Sequence, residues 1–321
     1  MESVTLRDRF RGGIVGTAVG DALGAPFEGR QEVDPRRIDS WQRSDKDLRW
    51  TDDTAMTVGV AESLIASGGF DGEDMVSRFM AHHDAEPWRG YGAGPPRVFA
   101  AIRQGVDWRE AASTLFGGTG SFGNGAAMRS APLGLFACHD LELVASMAWE
   151  AAGITHAHAL GRAGAAMQAY STGWLATTPS EPSGPVRTLL VDDLRSVIVD
   201  PTFRQRLDAL DDLGTEAPRD EVVATLGNGI EAVEAVPAAV HAATAHPADF
   251  AAAVRSAVML GGDTDTIAAM AGALAGALLG YSAIPQPWLS RLEGHESLVT
   301  LADELLTAAF IARPPGGIDA G

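Results

Sequence analysis

Two stretches far apart in this chain carry the same oxygen chemistry. Trp50-Thr51-Asp52-Asp53-Thr54-Ala55-Met56 and Leu260-Gly261-Gly262-Asp263-Thr264-Asp265-Thr266-Ile267 each set paired carboxylates among hydroxyls, where a polar segment turns into an apolar one. Hard divalent cations such as Mg²⁺ and Mn²⁺ take carboxylate, hydroxyl and water oxygens. Gly261-Gly262 lets the backbone turn sharply enough to aim both following carboxylates inward. The plainer use of Asp and Thr at a helix start is to cap it and complement its dipole. One such residue suffices for a cap, so a second Asp beside an almost nonpolar helix favours cations, and a second copy of the arrangement strengthens that reading. The two sets supply four carboxylates, an inventory for two neighbouring ions sharing ligands.

Other segments offer chemistry only in company. Pro26 forces the chain out of a helix and leaves Glu28 on a loop, where a carboxylate is simply solvated unless the cation site lies nearby. Phe116-Gly117-Gly118-Thr119-Gly120-Ser121-Phe122-Gly123-Asn124-Gly125 is a glycine-rich turn read as opening onto a helix near Ala126, a geometry that presents N–H groups to an anion. Phe116 and Phe122 could grip a base, although core packing is the commoner use of Phe. The loop Arg89-Gly90-Tyr91-Gly92-Ala93-Gly94-Pro95 permits close backbone approach, and His156 in Thr155-His156-Ala157-His158 is a useful donor only in a metal and phosphate pocket. Adjacent His82 and His83 point in different directions on a helix, so a structural role is expected of them.

The elements that must position these groups are helices. A helix over about Leu6–Leu23 carries Gly12, Gly16, Gly20 and Gly24, and the uncharged run Ile267–Ile284 carries Gly272, Gly276 and Gly280. Each helical glycine is unfavourable by roughly 1 kcal/mol, a cost that close packing must offset, so the two smooth faces are expected to pack on each other or on a third helix. The second run is a buried core helix and not a membrane span, because it is mostly Ala and Gly, begins at two Asp residues and meets Pro285 and Pro287. Apolar spacing after Met56 runs to a Gly68-Gly69 stop, and further helices are expected over Glu73–His83, from Val98, and over Gly161–Tyr170. Pro237–His246, Asp249–Leu260 and about Ser297–Ala312 complete the set, while 31–49 reads as polar and irregular and 178–219 as polar and proline-punctuated, with Asp192-Asp193 and Asp211-Asp212 as solvated faces. Alternating strands are few. The expectation is an all-α protein, a single compact domain over residues 1–315 built of many helices around buried Gly/Ala-rich ones, with 316–321 as a frayed tail.

A formal charge of −18, from 42 acidic against 24 basic residues, repels nucleic acid and anionic membrane but leaves room for an anionic small ligand at a bound metal. Cys138 is the lone cysteine, so no intramolecular disulfide exists and a reducing compartment fits. With no apolar core in the charged first eleven residues, the chain is expected to be cytoplasmic, soluble and monomeric.

Five motifs in order, Gly16-Thr17-Ala18-Val19-Gly20-Asp21-Ala22-Leu23-Gly24 with Glu28, Trp50 to Met56, Gly120 to Arg129, Thr155-His156, and Gly261 to Thr266, together resemble the ADP-ribosylglycohydrolase family. The resemblance spans nearly the whole chain. It implies an all-α fold with a binuclear Mg²⁺ centre, Mn²⁺ being the alternative, with Thr51, Asp52, Asp53, Asp263, Asp265 and Thr266 as ligands and Glu28 as the catalytic carboxylate. It also implies that Gly120, Ser121, Gly123, Asn124 and Gly125 hold a diphosphate, that Phe116 and Phe122 flank an adenine, that His156 reaches the phosphate or ribose region, and that Tyr91 and Gly92 line the approach. The activity implied is hydrolysis of the glycosidic bond between ADP-ribose and a protein side chain or other acceptor. Gly92 stands where arginine-specific relatives place an Asp, and the wording of two glycine-rich loops is closer to the serine-linkage type, so an oxygen-linked substrate (ADP-ribosyl-serine, poly(ADP-ribose) or O-acetyl-ADP-ribose) is expected ahead of ADP-ribosyl-arginine. A non-catalytic ADP-ribose-binding module would have lost Glu28 or an Asp ligand, and a phosphoesterase would want more cations than Arg89, Arg97 and Arg129 near the motifs.

Overall fold

The computed structural model describes residues 4–179 and 184–312, so the expected tail at 316–321 lies outside the described residues. Among them the chain forms seventeen α-helices and no β-strand. The first half contains α1 (Leu6–Gly24), α2 (Pro35–Gln42), α3 (Asp52–Ser67), α4 (Gly72–Ala85), α5 (Gly94–Arg103), α6 (Trp108–Ala111), α7 (Ala131–Phe136) and α8 (Leu141–Ala152). The second contains α9 (Ala159–Thr177), α10 (Val186–Val197), α11 (Pro201–Asp212), α12 (Arg219–Leu226), α13 (Ala232–Ala245), α14 (Phe250–Met259), α15 (Thr264–Leu279), α16 (Gln286–Leu289) and α17 (His295–Ile311).

The axis of the molecule is the antiparallel pair α1 and α15. Glycines on each helix face the backbone of the other: Gly12 lies against Gly276, Gly16 against Gly272, Gly20 against Ala268 and Gly24 against Thr264. A Cβ on any of the four would collide with a carbonyl oxygen or main-chain carbon of the partner helix. The helices therefore approach to backbone contact, and the dispersion gained along both seams offsets the poor helix propensity of glycine. This approach places the last turn of α1 beside the first turn of α15. Helices α9, α13, α14 and α17 cover the pair, so that Ile14, Val15, Leu23, Phe250, Ile267, Met270 and Leu274 are all buried.

Several boundaries differ from the sequence reading for local reasons. The core helix stops at Leu279, because Gly280 takes φ +84, and not at Pro285 or Pro287. Within 31–49, Asp34 caps α2 through the Arg36 N–H, Pro35 occupies its first turn, and Ile38 is buried, so the segment is not irregular throughout. Likewise 178–219 contains α10 and α11, whose leucines Leu190, Leu194, Leu207 and Leu210 are buried. Asp192 and Asp211 there pair with Arg195, and Asp193 accepts from the Tyr170 hydroxyl at 2.8 Å, which makes three of the four acids partners and not merely a solvated face. The glycine-rich turn does not feed an α-helix at Ala126. It runs into a single 3₁₀ turn, Asn124–Ala126, and the next α-helix starts at Ala131.

Candidate active site

The site begins with α1. Asp21, completely buried one residue after the Gly20 contact, accepts from the Thr51 N–H (2.9 and 3.0 Å to its two oxygens), the Thr54 N–H (3.1 Å) and the Thr54 hydroxyl (2.6 Å). A carboxylate that takes the orphan N–H groups of a helix start fixes that start in place. Asp21 thus seats the N-terminus of α3 on the end of α1. The sequence reading assigned it no role, although it sits inside a quoted glycine motif. Arg89 holds the same turn from the other side: it ion-pairs with Glu293 (2.9 Å) and Glu86 (2.7 Å), stacks 3.5 Å over Trp50, and its carbonyl accepts from the Asp52 N–H at 2.8 Å.

The second acidic set is aimed by backbone. Gly261 and Gly262 take φ +75 and +71, and a Cβ on Gly262 would strike the Asn228 carbonyl. Only glycine meets both demands. Gly29 donates to the Gly262 carbonyl and Gly262 to the Arg30 carbonyl, each at 2.8 Å, which ties the Glu28 loop to this turn. Asp263 donates its N–H to the Asn228 carbonyl (2.9 Å) and accepts from the Asn124 side chain (2.5 Å). The Thr264 hydroxyl turns away to the Gly24 carbonyl at 2.9 Å.

These elements converge on one cavity of about 350 Å³, within the range of small-ligand sites. Thr51, Asp52, Asp53, Asp263, Asp265 and Thr266 line it together, with exposed Glu28 at the mouth and Gly90, Gly92, Gly94, Phe116, Ser121, Gly123, Asn124, Gly125 and His156 around the walls. Three of the sequence-selected residues do not line it. Tyr91 turns inward to an edge contact with His83 (4.9 Å between rings), Gly120 packs against Ala157 and His158, and Phe122 lies edge-on to His158. Met128 and Ile230 are lining residues that the sequence reading missed, since neither carries a chemical signal of its own. Phe116 and Ile230 are large apolar side chains left 52% and 70% exposed, an open apolar wall beside the carboxylates.

Five carboxylates meet here and, among the described residues, no Lys or Arg lines the cavity. Burial pushes every one of the four Asp carboxyls up, and repulsion by neighbouring carboxylates adds to it for three of them: Asp52 to about 7, Asp265 to about 9 and Asp53 well above the usual range, while Asp263 is raised by burial alone, despite its bond from Asn124. Asp21 is raised to about 6 by burial, against the pull of its four hydrogen bonds, and Glu28 is raised by partial desolvation and Asp263. One oxygen from each of Glu28, Asp263 and Asp265 lies within 4.8 Å of the others, and Asp53 Oδ1 is buried with no hydrogen-bond partner among the described residues. An orphaned carboxylate oxygen among uncompensated like charges, in an all-oxygen donor set, is what a divalent cation fits.

A pH signature follows. Each raised carboxyl binds its proton more tightly in the folded than in the unfolded chain, so the stability it contributes is full below the ordinary carboxylate range and is lost as pH rises through its folded value. Buried His156 and His241, pulled down to about 3, act oppositely below the imidazole range. Above about pH 7 the histidines no longer change charge, so the carboxylates set the slope until Arg129, lowered by burial to about 9, begins to act oppositely. With chelator present, Tm should fall between about pH 7 and 9, through the Asp52 and Asp265 values, and Mg²⁺ should flatten the slope. Equal slopes with and without Mg²⁺ in differential scanning fluorimetry would exclude this electrostatic account.

Comparison with known proteins gives the family. The ADP-ribosylglycohydrolase family model matches residues 2–314. The human ADP-ribosylhydrolase ARH3 is 35% identical, with 92% of each chain covered, and the ADP-ribosylarginine hydrolase Tri1 of Serratia proteamaculans is 28% identical, covering 94% of this chain and 80% of its own. A solved structure described as an ADP-ribosylglycohydrolase-related protein complex superposes with a TM-score of 0.72 at 27% identity, over 95% of this chain and 99% of that one. No helix among the described residues is long and apolar enough to cross a membrane. With an unbroken family match, an all-α architecture shared with a solved relative and the acidic motifs gathered in one cavity, this chain belongs to the ADP-ribosylglycohydrolases, a family of hydrolytic enzymes.

Proposed function

We propose that the chain hydrolyses the bond between C1 of the distal ribose of ADP-ribose and an oxygen of its acceptor, with two Mg²⁺ (or Mn²⁺) ions held by Thr51, Asp52, Asp53, Asp263, Asp265 and Thr266. The observation that carries this is the gathering of those residues and Glu28 around one cavity that no Lys or Arg lines among the described residues. Bound there, the ions would supply Lewis-acid anchoring for vicinal ribose hydroxyls. The protein's own groups do the rest. Glu28, at the mouth and beside Asp263, takes a proton from the attacking water as the C1–O bond breaks, and its negative charge favours the oxocarbenium-like state. His156 and the backbone of Gly123 to Gly125 face the diphosphate, and Phe116 offers the adenine a flat apolar surface. ADP-ribose and the free acceptor leave, water having supplied the hydroxyl to C1 and the proton to the acceptor.

Gly92 supports an oxygen-linked acceptor. A Cβ built there meets nothing within 4 Å, so this wall is open and brings no carboxylate to a guanidinium. The arginine activity in the name of the Serratia relative supports the second reading. With ADP-ribosyl-serine and ADP-ribosyl-arginine peptides compared with and without chelator, Mg²⁺-dependent release of ADP-ribose should favour serine by about tenfold or more in kcat/KM, some 1.4 kcal/mol at the transition state. Turnover of the arginine peptide alone would reverse the linkage assignment. Release unaffected by chelator would remove the metal.

A further inference from the structure

Arg129 is among the largest fully buried side chains, 2% exposed, and among the described residues no carboxylate forms an ion pair with it. Its guanidinium lies 4.6 Å from the Phe79 ring and donates to the Gly125 carbonyl (3.2 Å), the Ala151 carbonyl (3.4 Å) and the Thr155 hydroxyl (2.9 Å). Thr155 Oγ1 in turn lies 2.8 Å from His156 Nδ1. We propose that Arg129 and Thr155 are positioning residues that fix His156 as the Nε2–H tautomer, so that a neutral imidazole donates a hydrogen bond into the cavity.

The assignment follows from counting protons. A guanidinium only donates, so Arg129 occupies a lone pair of Thr155 Oγ1. Thr155 is 0% exposed, and among the described residues its hydroxyl has one other polar neighbour, His156 Nδ1. If Nδ1 carried the proton, the hydroxyl would accept twice and leave its own proton without an acceptor in a dry site, which is unfavourable. With Nδ1 as acceptor, both groups are satisfied and the single ring proton sits on Nε2. Burial, reinforced by the Arg129 charge, holds His156 down near 3, so the ring stays neutral and its tautomer decides whether it offers a proton or a lone pair.

Nε2 is left open on the cavity side. It lies between Gly123 and Gly125, where a Cβ would come within 3.7 and 3.2 Å of it. Arg129 therefore pins two walls at once, the imidazole through Thr155 and the loop through the Gly125 carbonyl. A donor in that place suits an acceptor-rich ligand group such as a phosphate oxygen, whereas the other tautomer would set lone pair against lone pair. This last step rests on the function proposed above.

Long-range ¹H–¹⁵N spectra of the ligand-free protein labelled with ¹⁵N-histidine, with His156 assigned through H156Q, read the tautomer directly. The expected pattern is a protonated Nε2 and an unprotonated Nδ1. Thr155→Val, which removes the hydroxyl at equal shape, should lose that pattern and weaken ADP-ribose binding about tenfold, and Thr155→Ser should restore both. A protonated Nδ1 in the wild type, or an unchanged pattern in Thr155→Val, would overturn the proposal. Because the wild-type spectrum needs neither substrate nor Thr155→Val, the relay is tested even if Thr155→Val does not fold. The expected tautomer with no response of His156 to ADP-ribose would uphold the relay and count against the assigned substrate instead.

Discussion

Glu28→Gln should lower kcat by roughly 10²- to 10⁴-fold, the usual worth of a positioned general base, while Mg²⁺ still binds. Gln keeps the size and hydrogen-bonding reach of Glu but cannot take a proton, and Glu28 sits at the exposed mouth, not in the buried ligand set. Its carboxylate nonetheless approaches Asp263 and Asp265 closely enough to share a cation with them. Two measurements separate the roles. If Glu28 is the base, single-turnover rates collapse and the Mg²⁺ isotherm barely moves. If it is chiefly a ligand, affinity and rate fall together, as they should for Asp265→Ala, which removes a carboxylate raised to about 9 by burial and its acidic neighbours. Full activity in Glu28→Gln would leave the base unassigned. Removing Asp265 has an opposite consequence for the metal-free protein: one uncompensated charge fewer makes it more stable at alkaline pH even as activity is lost.

Gly20→Ala should destabilise the fold by about 3 kcal/mol, toward the upper end for overpacking. The new methyl would fall on the Ala268 carbonyl and the Ala269 N–H, which are main-chain atoms of a helix and cannot rotate aside. Better helix propensity returns about 1 kcal/mol, so the clash decides the sign. Because Asp21 follows Gly20 and α15 begins the second acidic set, prising the helices apart should also separate the two carboxylate pairs and reduce Mg²⁺ affinity. Gly69→Ala is the control, since a Cβ there meets nothing within 4 Å, and its effect should stay within about 0.5 kcal/mol. Equal urea midpoints for the two variants would refute the backbone-contact account of the core.

Much of the fold was legible locally. Glycines at four-residue spacing mark a face without side chains, and two such faces in one chain are enough to expect their contact. The same holds for where the oxygen donors stand: Asp52, Asp53, Asp263 and Asp265 are paired at two helix starts by type and spacing alone. Local reasoning failed where propensity was weak or a turn ambiguous. The Asp34-Pro35 start of α2 was passed over amid charged neighbours, and glycine richness after Phe116 suggested a helix N-terminus where the chain makes one 3₁₀ turn.

What the sequence determined by itself is the inventory: an all-α chain, two acidic helix starts, a lone carboxylate at Glu28, and glycine seams. Only the tertiary structure decided which of these share a cavity. Helix periodicity relates residues a few positions apart, whereas the meeting of Asp52 with Asp265 depends on the packing of α1 against α15 and on the Asp21 bonds that hang α3 from that pair. The direction of Tyr91 away from the site, set by its ring-edge packing on His83, was decided by tertiary contact as well, and so was the Arg129–Thr155–His156 chain, where burial forces each polar group to pair with what lies within reach.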